Sequence, residues 1–187
     1  FAYLLQDQFA QVRSFVFVSD LGETTELFRQ HEIARAIELA YGGAVVNVFA
    51  NSNFGRAFVT FLERFGDAVT GKTTVIVIGD GRNNYHPAEA WALGQIGARA
   101  KRVLWLNPEP PLSWAFGDSA MREYEPHCDR VEVVKNVEEL SRIVEALVRS
   151  CYGGGSGASP GAGAALVAPA ATVTRLPWRH GGVTVKP

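Results

Sequence analysis

Hydrophobic positions along this chain fall into two rhythms, short unbroken runs and stripes spaced three or four apart. The runs read as strands buried on both faces: Ser14–Ser19 (Ser-Phe-Val-Phe-Val-Ser), residues 73–78 (Thr-Thr-Val-Ile-Val-Ile), Arg102–Leu106 and Arg130–Val134. A short additional strand is expected at Thr24–Phe28, turned at Leu21–Gly22. The stripes read as helices. His31–Tyr41 places Ile33, Ala36, Ile37 and Ala40 on one face and stops at Gly42–Gly43, and Phe54–Phe65 presents Phe54, Phe58, Phe61, Leu62 and Phe65. Further helices are expected at about 87–100, introduced by Pro87, and at about 136–150. Residues 107–127 form a long proline- and aromatic-rich loop, longer than a compact domain usually carries without a use.

Strands alternating with helices specify an α/β class with a doubly wound, mostly parallel sheet. The domain is expected to span residues 1–150. From residue 151 to 187 glycine, alanine and proline dominate, periodicity disappears and a flexible tail is expected. Leu176-Pro177-Trp178-Arg179 could dock on a partner, although a solvated tail is the simpler expectation. At the other end, Tyr3, Leu4, Leu5, Phe9 and Val12 recur at helical spacing with no cap before them, and Phe1 is not an initiator methionine. We therefore expect residues 1–12 to be the end of a helix, and the chain to be a fragment.

With 187 residues, 47% of them hydrophobic, the chain can bury one sizeable core. Net charge sharpens the picture. Of the 18 basic residues, Arg175, Arg179 and Lys186 lie after Tyr152 with no acid beside them, so the preceding chain sets 15 bases against 19 acids, a balance of −4. Such a domain is poorly suited to neutralising phosphates, which argues against nucleic acid as partner. No apolar run approaches the ~20 residues needed to span a bilayer. Two cysteines, Cys128 and Cys151, without metal-type spacing fit a reducing cytoplasm better than a disulfide framework, and Cys128 is expected to be a buried packing residue.

Chemistry concentrates at the ends of the strands. In open α/β sheets the loops at the carboxyl ends of strands line the ligand crevice. Here those loops are Asn51-Ser52-Asn53 ahead of the helix at Phe54, Asp80 with Arg82, Asn83 and Asn84, and Asn107-Pro108-Glu109. A hydroxyl and a carboxylate at one sheet edge suit a hard cation such as Mg²⁺, which takes oxygen ligands and keeps several waters. Ser52 or Asn53 could equally serve as an N-cap, and Asp80 could bond only its own turn. Two protein ligands do not complete a site. No nucleophile elbow, phosphate loop or dinucleotide fingerprint is present. His31, His86, His127 and His180 are scattered, His86 reads as a surface residue, and Trp91, Trp105 and Trp114 read as core or loop-anchoring aromatics.

Several segments carry a resemblance. Phe15-Val-Phe-Val-Ser-Asp-Leu-Gly-Glu-Thr-Thr-Glu-Leu-Phe28, Ser52-Asn-Phe-Gly-Arg-Ala-Phe58, residues 73–85, Val103-Leu-Trp-Leu-Asn-Pro-Glu109, Trp114-Ala-Phe-Gly-Asp-Ser-Ala-Met121 and Tyr124-Glu-Pro-His-Cys-Asp129 resemble, in order, the CoxE-like proteins with a von Willebrand factor A (VWA) domain. The resemblance covers residues 1 to about 150. It implies a doubly wound sheet and a metal-ion-dependent adhesion site (MIDAS) built from an Asp-x-Ser-x-Ser after the first strand, a middle Thr or Ser, and a later Asp. Ser52 matches the middle hydroxyl and Asp80 the later carboxylate. The first motif is absent. Asp20-Leu-Gly-Glu-Thr24 imitates it faintly but stands too close to Ser52, so Ser14–Ser19 fits better as the family's second strand, with its first, central strand missing. Residues 1–187 alone are then expected to be poorly stable and to bind Mg²⁺ weakly.

The resemblance further implies a non-enzymatic binding module acting beside a MoxR-type AAA+ ATPase in maturing a client metalloenzyme. Ser52 and Asp80 would be metal ligands for Mg²⁺, with Mn²⁺ as a substitute, and Asn53, Arg82, Asn83 and Asn107 would contact the partner or second-layer water. Two rival readings stand beside it. One is a Mg²⁺-dependent α/β hydrolase or phosphatase using Asp80 with His86 as acid/base, and the other a VWA domain whose metal site is dead.

Overall fold

The structure, a computed structural model, describes residues 11–40, 51–152 and 170–175, with Phe9, Gly42 and Val45 as isolated positions. Six strands form one sheet: β1 (Val12–Phe17), β2 (Leu21–Glu23), β3 (Thr74–Ile78), β4 (Arg102–Asn107), β5 (Arg130–Val133) and β6 (Ala170–Arg175). Their order across the sheet is β2-β1-β6-β3-β4-β5. Every pairing is parallel except that of β1 with the short edge strand β2.

Helices cover both faces, as a parallel sheet requires. Residues of alternate parity separate accordingly. Phe15, Phe17, Val75, Val77, Val103 and Trp105 belong to one core, shared with α3 (Phe54–Phe65) and α4 (Ala90–Arg99) through Phe54, Phe58, Phe61, Leu93 and Ile96. Val12, Ile76, Leu104 and Leu106 belong to the other, closed by Val144 and Leu147 of α6 (Val137–Tyr152). The remaining helices are α1 (Thr25–Gln30), α2 (Ile33–Leu39) and the single turn α5 (Met121–Tyr124). Among the described residues no helix is long and apolar enough to cross a membrane.

The doubly wound α/β class is thus present, with several differences in detail. The central position of the sheet is filled by residues 170–175, a segment expected to be part of the flexible tail, and α6 runs to Tyr152, past the boundary set at 150. A slot between two parallel strands leaves two rows of backbone donors and acceptors that need partners, and Thr172-Val173-Thr174 is a run of β-branched residues in the tail. Val12, expected on the first helix, opens β1; the rest of that helix falls almost wholly outside the described residues.

Thr24–Phe28 is not a strand. The strand is Leu21–Glu23, and Thr25 starts a helix whose entry is fixed by tertiary bonds: the Ser14 N–H donates to Thr25 Oγ1 at 3.0 Å, and the hydroxyls of Thr24 and Ser14 meet at 3.1 Å. The long loop 107–127 contains two 3₁₀ turns (Pro111–Ala115, Glu125–His127) besides α5. On α2 only Ala36 is buried, while Ile33 and Ile37 are exposed. Trp105 and Trp114 are buried as expected, but Trp91 is half exposed. Cys128 is half-buried beside the first core, and burial, with Asp129 and Glu125 nearby, pushes its thiol up to about 12.

Candidate functional site

Because β1, β6, β3 and β4 run parallel, their carboxyl ends share one edge of the sheet. The loops after β1, β3 and β4 and the start of α3 meet there, and hydrogen bonds lace them together. The Asn53 N–H donates to Val18 O at 2.8 Å, tying the start of α3 to the end of β1. Asn84 Nδ2 donates to Ser52 O at 2.9 Å, joining the Ser52 loop to the Asp80 loop. Asn107 Nδ2 donates to Asp80 O at 3.1 Å, and the Gly79 N–H to Leu106 O at 3.0 Å, joining the Asp80 loop to the end of β4.

Ser52 stands out in this lattice. It is 1% exposed, and its Oγ has no hydrogen-bond partner among the described residues. A buried hydroxyl left unpaired costs free energy, so such an atom in a folded protein calls for an explanation. The capping role falls to its neighbour, since Asn53 Oδ1 accepts the Arg56 N–H at 2.8 Å. Asp80 is half-buried, and its Oδ1 accepts the Arg82 N–H at 3.0 Å, the turn-type bond that sequence reasoning weighed.

Asn83, Arg82 and Asn107 are occupied with holding the loops. The Asn83 amide uses its full hydrogen-bonding capacity: Oδ1 accepts the N–H groups of Phe54 (2.6 Å) and Gly55 (3.3 Å), and Nδ2 donates to the carbonyls of His86 (2.8 Å) and Pro87 (2.9 Å). Asn107, fully buried, accepts the Glu109 N–H at 2.7 Å on the oxygen opposite its bond to Asp80. Arg82 Nε and Nη2 grip Glu109 at 2.8 and 2.9 Å, while Nη1 bonds Asp118 at 2.9 Å. The structure therefore gathers all six expected site residues at one edge. It assigns Asn53, Arg82, Asn83 and Asn107 bonds within the scaffold that a partner would have to compete for. His86 is exposed on the same loop.

Sequence reasoning did not identify Glu109 and Asp118 as the anchors of Arg82, nor Asn84 as the bridge to Ser52. The anchors lie 27 and 36 residues from Arg82, and no local pattern announces them. A weaker signal was available at Asn84, a residue type that tolerates the left-handed region it adopts (φ 49°). Tyr85 follows with φ 58° and is 84% exposed, an uncommon conformation for an aromatic residue.

The Arg82 fork gives the edge an acid-sensitive joint. Glu109 first, then Asp118, raise the Arg82 guanidinium above its ordinary value. Burial pushes the Asp118 carboxyl up, but the bonds from Arg82 and the Asn84 N–H together outweigh it, and the group ends below its ordinary range. A depressed carboxyl contributes stability above its unfolded value, about 3.9, and loses it as pH falls through the folded one. Urea unfolding from about pH 6 to about pH 3 should therefore show a loss of stability that is smaller in Arg82→Met. Equal losses in the two proteins would exclude the fork as the sensitive element. Its groups remain partly solvated, so the effect is modest.

Do these oxygens suit a divalent cation? Ser52 Oγ is buried and unclaimed, and Asp80 adds a carboxylate at the same edge. Both are hard donors of the kind that Mg²⁺ prefers, and two of them suit a water-rich, weak site. Among the described residues there is no group of three or more His, Cys, Asp or Glu that could hold a metal.

In comparison with known proteins, the family model for VWA domain containing CoxE-like proteins matches residues 1–143. No curated protein and no solved structure matches the chain.

Proposed function

Since the chain belongs to the CoxE-like family of VWA-domain proteins, we propose that it is a protein-binding module. Its recognition edge is the carboxyl edge of the sheet, and its recognition is metal-dependent. The observation that carries this reading is the buried, unpartnered Ser52 Oγ on the loop bonded to the Asp80 loop. Ser52 and Asp80 would hold Mg²⁺, or Mn²⁺ in its place. A cation bound there would supply an open coordination position for a carboxylate of the partner.

The chain's own residues set the conditions for that encounter. Asn83 pins the start of α3 to the Asp80 loop, Asn107 fixes the Asp80 carbonyl, and Arg82 is held by its two acids, so the edge is built before a partner arrives. Preorganisation of this kind lowers the ordering cost of binding. The partners we assign are a MoxR-type AAA+ ATPase and a client metalloenzyme, with a role in recognition and no chemical step of the chain's own. This assignment rests on family membership alone.

Ser52→Ala gives a clean test. Removing an unpaired buried hydroxyl should leave the melting temperature unchanged or slightly raised, while Mg²⁺ affinity by calorimetry falls about tenfold. Asp80→Ala should abolish Mg²⁺ binding, and EDTA should abolish partner capture. A Ser52→Ala protein that loses stability but keeps its Mg²⁺ affinity would make Ser52 structural and end this reading. Unchanged partner affinity in Asp80→Ala would end it as well.

A second reading, a VWA domain with a dead metal site, draws on one specific observation. Four of the six polar residues at the edge are spent on internal bonds, and Asp80 Oδ1 also accepts the Arg82 N–H. It predicts no Mg²⁺ heat with the wild-type chain. Mg²⁺-dependent turnover of p-nitrophenyl phosphate that vanished in Asp80→Ala would instead favour the hydrolase or phosphatase reading.

A further inference from the structure

Residues 83–86 turn the chain at the carboxyl edge in a way that suits only part of their sequence. The His86 N–H donates to Asn83 O at 3.0 Å, closing a turn whose central residues, Asn84 and Tyr85, have φ of 49° and 58°. Positive φ at both central positions is the pattern of a type I′ turn, which favours Asn-Gly. Asn84 fits the first place. The second, where glycine escapes the Cβ clash of left-handed backbone, is held by a tyrosine. The surroundings impose this conformation: Asn83 is clamped on four backbone groups, and Asn84 bonds Asp118 Oδ2 through its N–H (3.1 Å) and Ser52 O through Nδ2 (2.9 Å). Backbone strain fixed in this way gathers at ligand clamps and binding sites. The fold makes no use of the side chain it presents. Tyr85 is 84% exposed, and among the described residues its phenol has no hydrogen bond or ring contact.

Two more large apolar side chains stand exposed on the adjoining loop. Arg82 bridges Ser119 in antiparallel register, and the Asn83 N–H donates to Asp118 O at 2.9 Å. Tyr85 and Phe116, each three residues beyond that bridge, therefore leave the paired segments at the same end. Phe116 is 69% exposed, and Leu112, on the 3₁₀ turn Pro111–Ala115, is 83% exposed. The charge of these loops is one-sided. Residues 80–89 and 107–119 carry Asp80, Glu89, Glu109 and Asp118 against Arg82 alone, a balance of −3 with His86 neutral. The fork itself sets two carboxylates against one guanidinium. A complementary partner brings large apolar side chains together with Lys or Arg, and an acidic one is repelled.

We propose that Tyr85, Phe116 and Leu112 form the apolar part of a docking patch for a partner protein's segment in which leucine or aromatic residues stand beside lysine or arginine. Tyr85 is its anchor, an aromatic side chain held in place before the partner arrives. The proposal rests on the reading of the carboxyl edge as the recognition surface, and it requires no metal ion. A divalent cation at Asp80 would still leave these loops negative, so the preference for a basic segment holds with or without it.

The test uses the full chain in EDTA and three labelled peptides: Lys-Leu-Lys-Phe-Leu-Lys, Glu-Leu-Glu-Phe-Leu-Glu and Lys-Ser-Lys-Ser-Ser-Lys. By fluorescence anisotropy the first should bind wild type about tenfold tighter than either of the others. Tyr85→Gly and Phe116→Ser should each weaken it about tenfold. Tyr85→Gly should also melt about 2–4 °C above wild type, because relief of the strained φ exceeds the freedom added to the unfolded chain. Phe116→Ser, at an exposed position outside the turn, should melt within about 1 °C of wild type. Greater stability with weaker binding marks a residue kept for a partner. Unchanged peptide affinity in either variant would overturn the proposal, as would a lower melting temperature in Tyr85→Gly, which would make the tyrosine structural. Equal affinity for the acidic or the polar peptide, or no binding of the first peptide to wild type, would overturn it too. Mg²⁺ calorimetry on the same proteins keeps the two readings apart. Peptide binding without Mg²⁺ binding ends the metal reading alone, and Mg²⁺ binding without peptide binding ends the docking patch alone.

Discussion

Asn83→Ala should cost about 3–5 kcal/mol of stability and should separate the two halves of the recognition edge. The side chain is 1% exposed and joins four backbone groups of two segments. Two are N–H groups in the first turn of α3, which have no partner within the helix. The other two are carbonyls of His86 and Pro87. Alanine removes all four bonds and leaves a gap that admits at most one water. Asn83→Asp is the informative companion. A carboxylate could still accept the two α3 N–H groups, and the helix N-terminus would favour its charge. Its second oxygen would, however, face two carbonyl oxygens, so it should be no better than alanine. Urea midpoints of the two variants check both statements. Losses below about 0.5 kcal/mol would mean that this clamp does not hold the edge together. Because the clamp brings the Ser52 loop to the Asp80 loop, Mg²⁺ affinity should fall with stability in both variants.

How far this arrangement was legible in the sequence depends on where the decisive interactions lie. The helix Phe54–Phe65 could be bounded from sequence because its determinants are local: aromatic residues at helical spacing and an Asn cap three residues before Arg56. The runs at 74–78 and 102–107 were equally readable, since a strand covered on both faces needs no alternation. Thr24–Phe28 misled because its β-branched start suggests a strand, while distant Ser14 supplies the bonds that start a helix there. The exposed Ile33 and Ile37 show the same limit, since helical spacing identifies a stripe but not whether anything packs on it. For β6, the strand state comes from the needs of its neighbours rather than from its own residues, so composition pointed to a tail.

The site was legible at the level of loops and much less so at the level of roles. Residue type and position after a strand brought out Ser52, Asp80, Arg82, Asn83 and Asn107, and the fold brings these to one edge. Whether a polar side chain there faces a ligand or the scaffold depends on partners 27 to 36 residues away, as with Asn83 and Arg82. Among the described residues, Ser52 alone keeps a buried side-chain donor and acceptor unclaimed.

Trp105→Ala should be the most damaging single change in the core, at about 3–5 kcal/mol. The indole is fully buried in β4, stacked on Phe54 (centroids 5.6 Å apart) and Tyr124 (5.2 Å), with Phe58 edge-on at 5.9 Å. It therefore fixes α3, α5 and the sheet to one another. Its second task concerns the edge: Nε1 donates to Gly79 O at 2.8 Å, immediately before Asp80. Trp105→Phe separates the two tasks. Phenylalanine keeps much of the stacking, so its stability loss should be smaller, about 1–3 kcal/mol, but it leaves the Gly79 carbonyl without its donor. With that anchor gone, the segment entering Asp80 loses one of its ties to β4, while the Asn107 bond to Asp80 O remains. Mg²⁺ affinity in Trp105→Phe should then fall further than in a core variant of equal stability loss, such as Phe61→Leu, which lies on α3 away from Gly79. If the two variants lost affinity equally, the Trp105–Gly79 bond would be one packing contact among many, and the position of Asp80 would be set by the fold as a whole.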